Sequence, residues 1–476
     1  MRKVRFVTSF CSFLSFPCIK CSLKFMRRNW LYYLLFILII IICFYYRTKR
    51  KLVDHSSFNS RNYAVMIDCG SSGSRLRMYY WNGDSKSVGL PSIKIVRDKN
   101  NEEIVNNINK PLSSFADNPK SSIDYITELV RKSYEYIPFE KHSSTALYVL
   151  ATGGMRLLPI DKSESLISAL RQSLSSNIKY NLIMVEIISG RMEGVFMWIG
   201  LNYILKKFKV CGQDTHGMIE TGGASMQIAF EVESLNPGSS HFSYICPENS
   251  QLISHNIYSI TFLGLGVNSA YKYYLKNHVL PPTINPGDFD NDLDPCLALN
   301  CVFSDGGITK KGTGGPDECF THINYTFNRY LRREKDAATM DQFTTIYKTA
   351  WRRFNLTFYG LSEFWYGFND FLHYQGPLIK SHYWSINKEF CSQDCNVLMK
   401  NMQNGFYKTN EHRHLTFSSV FYFSLQCFKV SYLQYIMDKF LPLESNNPVI
   451  NAKSLNGQLI EWTQGALVYY LSQKPK

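Results

Sequence analysis

The sequence predicts an α/β fold of two similar lobes facing each other across a cleft. Two observations carry this. Short apolar runs ending in glycine-rich turns alternate with segments of helical spacing, the pattern of strands joined by helices. One such unit also occurs twice: Met66-Ile67-Asp68-Cys69-Gly70-Ser71 is echoed by Met218-Ile219-Glu220-Thr221-Gly222-Gly223. Each copy is an apolar strand, an acidic residue, one spacer and a glycine turn, followed by another amphipathic strand. The copies stand about one domain length apart.

Taken in order, Ala64–Ile67 reads as a buried strand entering a turn at Asp68-Cys69-Gly70. Leu76–Trp81 alternates like the returning strand of a hairpin. Residues 121–137 have helical spacing. Leu147–Leu150 is a further buried strand, closing at Ala151-Thr152-Gly153-Gly154. Ile183–Ile188 is another, closing at Ser189-Gly190, and Gly194–Leu205 is apolar and helical in spacing. Residues 231–450 are less regular, aromatic and cysteine-bearing, as an elaborated second lobe would be. We expect one lobe over 62–189, rejoined by 450–476, and a second over 190–449.

The net charge of +14 resembles a nucleic-acid signal, but its placement excludes that reading. Residues 1–51 hold eleven Lys/Arg and no Asp or Glu, which leaves 41 basic against 38 acidic residues in the rest. The surplus flanks Trp30–Tyr46, an uncharged apolar run with Trp30, Tyr32, Tyr33, Tyr45 and Tyr46 near its ends. Seventeen helical residues span roughly 26 Å, enough for a thin bilayer. A signal peptide would need a small-residue cleavage site, whereas Arg47-Thr48-Lys49-Arg50-Lys51 follows. We therefore expect a cytosolic basic tail (1–29), a single-pass type II anchor (30–46), a stem (47–61) and a lumenal or extracellular remainder.

Cysteine use agrees with that compartment. Seven of the thirteen cysteines lie between Cys246 and Cys427, a density suited to oxidising conditions, and no paired CxxC suggests zinc. Seven is odd, so at least one thiol is free or pairs elsewhere. Two sequons, at Asn324 and Asn355, point the same way.

The chemistry begins at the glycine turns. In Asp68 to Arg75, Gly70 and Gly73 let backbone N–H groups converge, while Ser71, Ser72, Ser74 and Arg75 add donors. Alone this is a tight hairpin turn. Its second copy at Gly222-Gly223-Ala224-Ser225 favours two anion sites serving one ligand with at least two phosphates. No Gly-Lys-Ser/Thr follows, so neither turn is a Walker loop. Asp68 and Glu220 could share a divalent cation, directly or through waters, although singly each could be a turn former. Glu193 sits where a strand gives way to a helix and could take a proton from water; by itself it could be a helix-dipole residue. Ser225 and Gln227 could orient that water. No Ser-His-Asp or Cys-His pattern competes.

These residues resemble the ecto-nucleoside triphosphate diphosphohydrolase, or apyrase, family over most of residues 62–470. The likeness runs through Ile67–Arg75, Ala151–Arg156, Ser189–Gly194 with Trp198, Glu220–Gln227 and Trp462–Ala466. DCGSSGSR, TFLGLG at Thr261–Gly266 and QCFK at Gln426–Lys429 look most like the intracellular Golgi and lysosomal nucleoside-diphosphatase branch. The resemblance implies a two-lobe actin-like fold of the acetate and sugar kinase (RNase H-like) type. It implies Ca²⁺ or Mg²⁺ and single-step water attack on the terminal phosphate of a nucleoside di- or triphosphate. By position, Glu193 matches the general base, and Ser225 and Gln227 the holders of the water. Asp68 and residue 220 match the metal-site acids, with Trp462 near the metal shell. Ser71, Ser72, Ser74 and Gly223 match phosphate-loop positions, and we add Gly70, Gly73, Arg75, Thr152, Gly222 and Ala224 to that set. Trp365 and Tyr366 lie near where the family stacks the base. Cys391 and Cys427 match a family disulfide.

Three positions depart from the family. Glu220 stands where Asp is usual, which moves the carboxylate by roughly 1.5 Å. Thr221 replaces an apolar residue, and Gly153 replaces Ala. The branch usually carries a second membrane helix near its C-terminus, but only fourteen residues follow Trp462, so single anchoring is expected.

Overall fold

A computed structural model describes residues 36–44, 60–83, 89–104, 106–277, 290, 292–305, 307–332, 334–354, 356–407, 425–441 and 448–473. Residues 62–476 form one compact unit and 1–61 another. Of the expected anchor, residues 36–44 are helical with exposed apolar side chains. The rest of it, the basic tail, and the stem up to residue 59 lie outside the described residues. Among the described residues no helix is long and apolar enough to cross a membrane.

The first sheet contains β1 (Arg61–Cys69), β2 (Ser74–Asn82), β3 (Lys94–Ile95), β4 (Asn106–Ile108), β5 (Ala146–Ala151) and β6 (Asn181–Ile187). Its order is β3-β2-β1-β5-β6, with β4 also on β2, and β1, β5 and β6 run parallel. The alternation along these strands sorts two cores. Val65, Ile67, Leu147 and Val149 face one side, where α1 (Ser121–Lys132) and α2 (Ile160–Asn177) supply Ile126, Leu129, Leu166 and Leu170. Ala64, Met66, Tyr148 and Leu150 face the other. Strands buried on both faces read as continuous apolar runs, which is why β1 and β5 were legible. The first helix ends at Lys132 rather than reaching residue 137.

The second sheet contains β7 (Gly217–Thr221), β8 (Ser225–Val232), β9 (Ser239–Ile245) and β10 (Leu252–Leu263). A smaller sheet of β11 (Leu293–Asp294), β12 (Val302–Asp305) and β13 (Ile308–Gly312) interrupts the sequence before β14 (Phe358–Ser362), β15 (Gly376–Pro377) and β16 (Ile450–Asn451) complete the second one. Its order is β15-β16-β14-β7-β8-β10-β9. Two helices, α3 (Gly190–Ile204) and α8 (Trp462–Ser472), share a core with both sheets: Val195, Trp198 and Leu467 meet Met66 and Tyr148 from the first and Met218 and Ala229 from the second. The far side of the second sheet packs on α4 (Val267–Asn277), α5 (Pro316–Leu331), α6 (Glu363–Asn369) and α7 (Gln426–Phe440). The α/β class and the paired-sheet architecture expected from the sequence are both present. Within 450–476, Ile450–Asn451 extends the second sheet, whereas α8 packs on α3 and stacks Tyr470 on Tyr148 of the first.

α3 and α8 touch backbone to backbone. A Cβ on Gly465 would stand 1.8 Å from the Phe196 carbonyl oxygen, and one on Gly200 2.9 Å from that of Glu461. Only glycine allows this approach.

Four disulfides staple the second half: Cys211–Cys246, Cys296–Cys319, Cys301–Cys395 and Cys391–Cys427. The last is the bridge the resemblance implied. The odd seventh cysteine is resolved by Cys211, which lies outside the window counted. Asn324 is half-buried on α5 and accepts from Asn328 at 2.6 Å, while Asn355 lies outside the described residues.

Asp294, beside the Cys296–Cys319 bridge, has a consequence for pH. It is fully buried, and burial pushes its carboxyl up to about 6 despite bonds from the Cys296 N–H and the Tyr274 hydroxyl. The unfolded chain ionises near 3.8 while the folded chain holds its proton until about 6. Stability is therefore full below pH 4 and falls as pH rises through 6, by roughly 3 kcal/mol at 1.36 kcal/mol per unit. Asp294→Asn should raise Tm at pH 7 and leave it unchanged at pH 4, measured by calorimetry across that range.

Candidate functional site

The two glycine turns lie at the ends of β1 and β7 and face each other. The first closes by a bond from the Gly70 N–H to the Gly73 carbonyl at 2.9 Å, the second by one from Gly222 to Ser225 at 3.0 Å. A Cβ on Gly223 would stand 2.9 Å from Ser71 Oγ, so the turns of the two halves nearly touch. The loop after β5 fits between them. A Cβ on Gly154 would meet Ser71 Cα at 2.8 Å, and one on Gly153 would meet Ser225 Oγ at 2.9 Å. The departure at Gly153 thus leaves space at Ser225 that alanine would fill. Thr152 is buried at the start of this loop and donates its N–H to Cys69.

TFLGLG supports the second turn from below. A Cβ on Gly266 would meet the Ala224 and Ser225 amides at 2.4 Å. Val267 and Ser269, opening α4, donate to the carbonyls of Gly222 and Gly223. Ser72 is exposed at the first turn, whereas Ser74 is fully buried with its hydroxyl on the core side, beside the Cys69 thiol and Tyr125. Expected as a phosphate donor, the Ser74 hydroxyl instead lies in the core.

Behind the turns, Glu193, Ser225 and Gln227 meet. Gln227 Nε2 donates to Ser225 Oγ at 2.9 Å and reaches Glu193 Oε2 at 3.3 Å and Thr261 Oγ1 at 3.1 Å. Arg156, part of a motif quoted above but given no role there, completes the group. Its guanidinium pairs with Glu193 at 2.7 Å, reaches Ser225 Oγ at 3.2 Å and donates to the Ile188 carbonyl at 2.9 Å. Glu193 lies in the first turn of α3, whose N-cap Ser189 accepts from the Met192 N–H.

Asp68 and Glu220 stand near the ends of β1 and β7, just before the turns. Asp68 Oδ2 pairs with Arg75 at 3.2 Å, and Glu220 Oε1 accepts from Ser362 Oγ at 2.7 Å. Each acid has a second oxygen, Asp68 Oδ1 and Glu220 Oε2, that is buried and without a hydrogen-bond partner. Burial raises the pKa of Asp68 despite Arg75 and that of Glu193 despite Arg156. Glu220 is pushed up to about 8, first by burial and then by Glu193 and Asp68. Crowded carboxylates with orphaned oxygens fit a hard, oxygen-liganded divalent cation, which would satisfy both and offset the repulsion. Asp68, Glu193 and Glu220 do not bring three ligand atoms within 4.8 Å of one another. Among the described residues the group that does is Cys211, Cys246 and Glu248, whose cysteines are bonded to each other.

Residues 55–476 match the GDA1/CD39 (nucleoside phosphatase) family. The chain belongs to that family. It is 28% identical over 443 residues to the nucleoside-diphosphatase mig-23 of Caenorhabditis elegans, covering 86% of this chain and 77% of that one. It is 29% identical over 466 residues to human ectonucleoside triphosphate diphosphohydrolase 4, covering 86% and 72%. In fold it is similar to a nucleoside triphosphate hydrolase from Neospora caninum, with a TM-score of 0.56, 13% identity, and 90% and 96% of the two chains covered. The chain is a nucleoside phosphate hydrolase by family.

Around this candidate site lie further residues, of which Arg77 and Glu461 carried no expected role. Glu461 stands at the N-cap position of α8, just before Trp462, and its carboxylate accepts two bonds of 2.6 Å from Arg77 of β2. Trp462 is buried at the start of that helix. Tyr366 on α6 lies near Arg75, with Lys453 Nζ 5.8 Å from its ring centre, while Trp365 is half-buried on the same helix. The QCFK segment anchors α6: Lys429 pairs with Glu363 at 2.8 Å, and Gln426 donates to the Gly367 carbonyl.

Proposed function

We propose that this protein hydrolyses the terminal phosphate of nucleoside diphosphates, and of triphosphates, by direct attack of water with Ca²⁺ or Mg²⁺. The carrying observation is that Glu193 Oε2 and Ser225 Oγ both lie within 3.3 Å of Gln227 Nε2. Glu193 takes the proton of the attacking water, and its raised pKa makes it a better base than an exposed carboxylate. Ser225 and Gln227 hold the water oxygen. The amides of Ser71, Ser72, Gly73, Gly223 and Ala224, with Thr152 and Arg75, receive the phosphate oxygens, while those of Gly70 and Gly222 close their turns. Asp68 and Glu220 would hold the cation through waters, with Trp462 beside that shell. When bound, the cation neutralises charge on the phosphate oxygens. Tyr366 and Trp365 would stack the base.

We place the site in the lumen of the secretory pathway, with the Golgi favoured, on a type II anchor at residues 30–46. The basic flanks of that segment and the four disulfides support this. The test is phosphate release from a panel of purine and pyrimidine di- and triphosphates, in Mg²⁺, in Ca²⁺ and in EDTA. Release should stop in EDTA and return on adding metal. Release undiminished in EDTA, or absent with every nucleotide, would defeat the proposal.

A further inference from the structure

We infer that Ser362 is a positioning residue that sets the reach of Glu220 toward the cation, an inference that rests on the proposed role of Glu220. Ser362 ends β14, which pairs in parallel with β7 so that Leu361 lies beside Glu220 and Ser362 beside Thr221. Along a regular strand, side chains alternate between faces. Ser362 would then point away from Glu220. It breaks the alternation with φ 56° and ψ −113°, a left-handed backbone that favours glycine, and its hydroxyl donates to Glu220 Oε1 at 2.7 Å.

That conformation is enforced from both sides. Before it, the β14–β7 register fixes the strand. After it, Glu363 is held by Lys429 and Gly367 by Gln426. Strained, non-glycine backbone persists where its surroundings over-determine it, often where a side chain must be delivered to a site. Here the delivered group is the hydroxyl. It occupies one oxygen of Glu220 and leaves the buried, unpartnered Oε2 as the single oxygen offered to the cation or its water. The extra methylene of Glu220 is what brings the carboxylate within reach of Ser362. An aspartate there, shorter by roughly 1.5 Å, would release the bond. Ser362 also opens α6, which carries Trp365 and Tyr366, so the segment proposed to stack the base begins at the residue that orients the cation-site acid.

The test titrates the metal-free full chain with Mg²⁺ and Ca²⁺, following the metal-induced rise in Tm, in parallel with metal activation of phosphate release. Ser362→Ala should raise the midpoint metal concentration about tenfold, the lower end of what losing such an outer partner does. Ser362→Gly, which relieves the positive φ, should raise the metal-free Tm yet show the same tenfold midpoint shift. That split is one a purely structural role would not produce. In a Glu220→Asp background, adding Ser362→Ala should change the midpoint less than twofold. Unchanged midpoints in both single variants, or a full tenfold shift on top of Glu220→Asp, would overturn the inference. Glu220→Gln separates the two levels. A wild-type midpoint in that variant would remove the cation role of Glu220 itself. A shifted midpoint there, with none in Ser362→Ala, would remove Ser362 alone.

Discussion

Glu193→Gln should lower kcat for phosphate release by about 10²–10⁴ with KM little changed. This is the range that a positioned general base contributes, and glutamine cannot accept the water's proton. The shape of the side chain is kept, so Gln227 and Arg156 still find an oxygen at 193. Arg156 also keeps the Ile188 carbonyl and the Ser225 hydroxyl. The variant should therefore fold, with a lower Tm from the lost ion pair but a cooperative melt like that of the wild type. Glu193→Asp retains the carboxylate but withdraws it, and should recover part of the rate. Steady-state kinetics with a melt for each variant checks this. A rate within threefold of wild type for Glu193→Gln would remove Glu193 from the chemistry.

The largest effect on the fold is expected for Gly465→Ala. Alanine normally favours a helix over glycine by about 1 kcal/mol, so on propensity this change would stabilise α8. The packing reverses the sign. The new methyl would stand 1.8 Å from the backbone oxygen of Phe196 and 2.8 Å from its carbon, and a helix backbone cannot yield as a flexible side chain can. Overpacking typically costs about 1–3 kcal/mol, and a backbone clash this close belongs above that range. We expect a loss of more than about 3 kcal/mol, or no soluble protein. Because α3 carries Glu193 and α8 begins at Trp462, any protein that folds should also lose activity. Gly200→Ala, with its nearest contact at 2.9 Å, should do the same more mildly. Thermal melts of the two variants, compared with phosphate release, give the ranking.

What was legible in the sequence is what repeats locally. β1 and β5 announced themselves because both faces are buried, and the two glycine turns because backbone that must converge needs glycine. Glu193, Ser225 and Gln227 were singled out through the resemblance and their places beside the turn and helix, and their meeting is what the structure adds. What was not legible is held by contacts between distant residues. Ser362 and Glu220 are 142 positions apart, and Arg77 and Glu461 are 384 apart. Neither member of either pair looks unusual alone. The second helix, α2, escaped notice because its serines dilute the apolar stripe of Leu166, Leu170 and Leu174. Gln426 and Lys429 were visible as a motif, but their task, holding α6, depends on a fold that a single strand of text does not display. The cysteine window missed Cys211 for the same reason, since its partner is chosen by the sheet edge and not by spacing. Ser74 shows the converse. It sits in a serine-rich turn, yet the pleat of β2 sends its hydroxyl into the core.

In the proposed reaction water attacks the terminal phosphorus directly, with no covalent phosphoenzyme. It can be tested on a nucleotide whose terminal thiophosphate is chiral by oxygen isotopes, hydrolysed by the full chain in isotopically labelled water. A single displacement assisted by Glu193 predicts that the released thiophosphate has inverted configuration at phosphorus. Retention of configuration would require two displacements through an enzyme nucleophile, and would rule out direct attack by water.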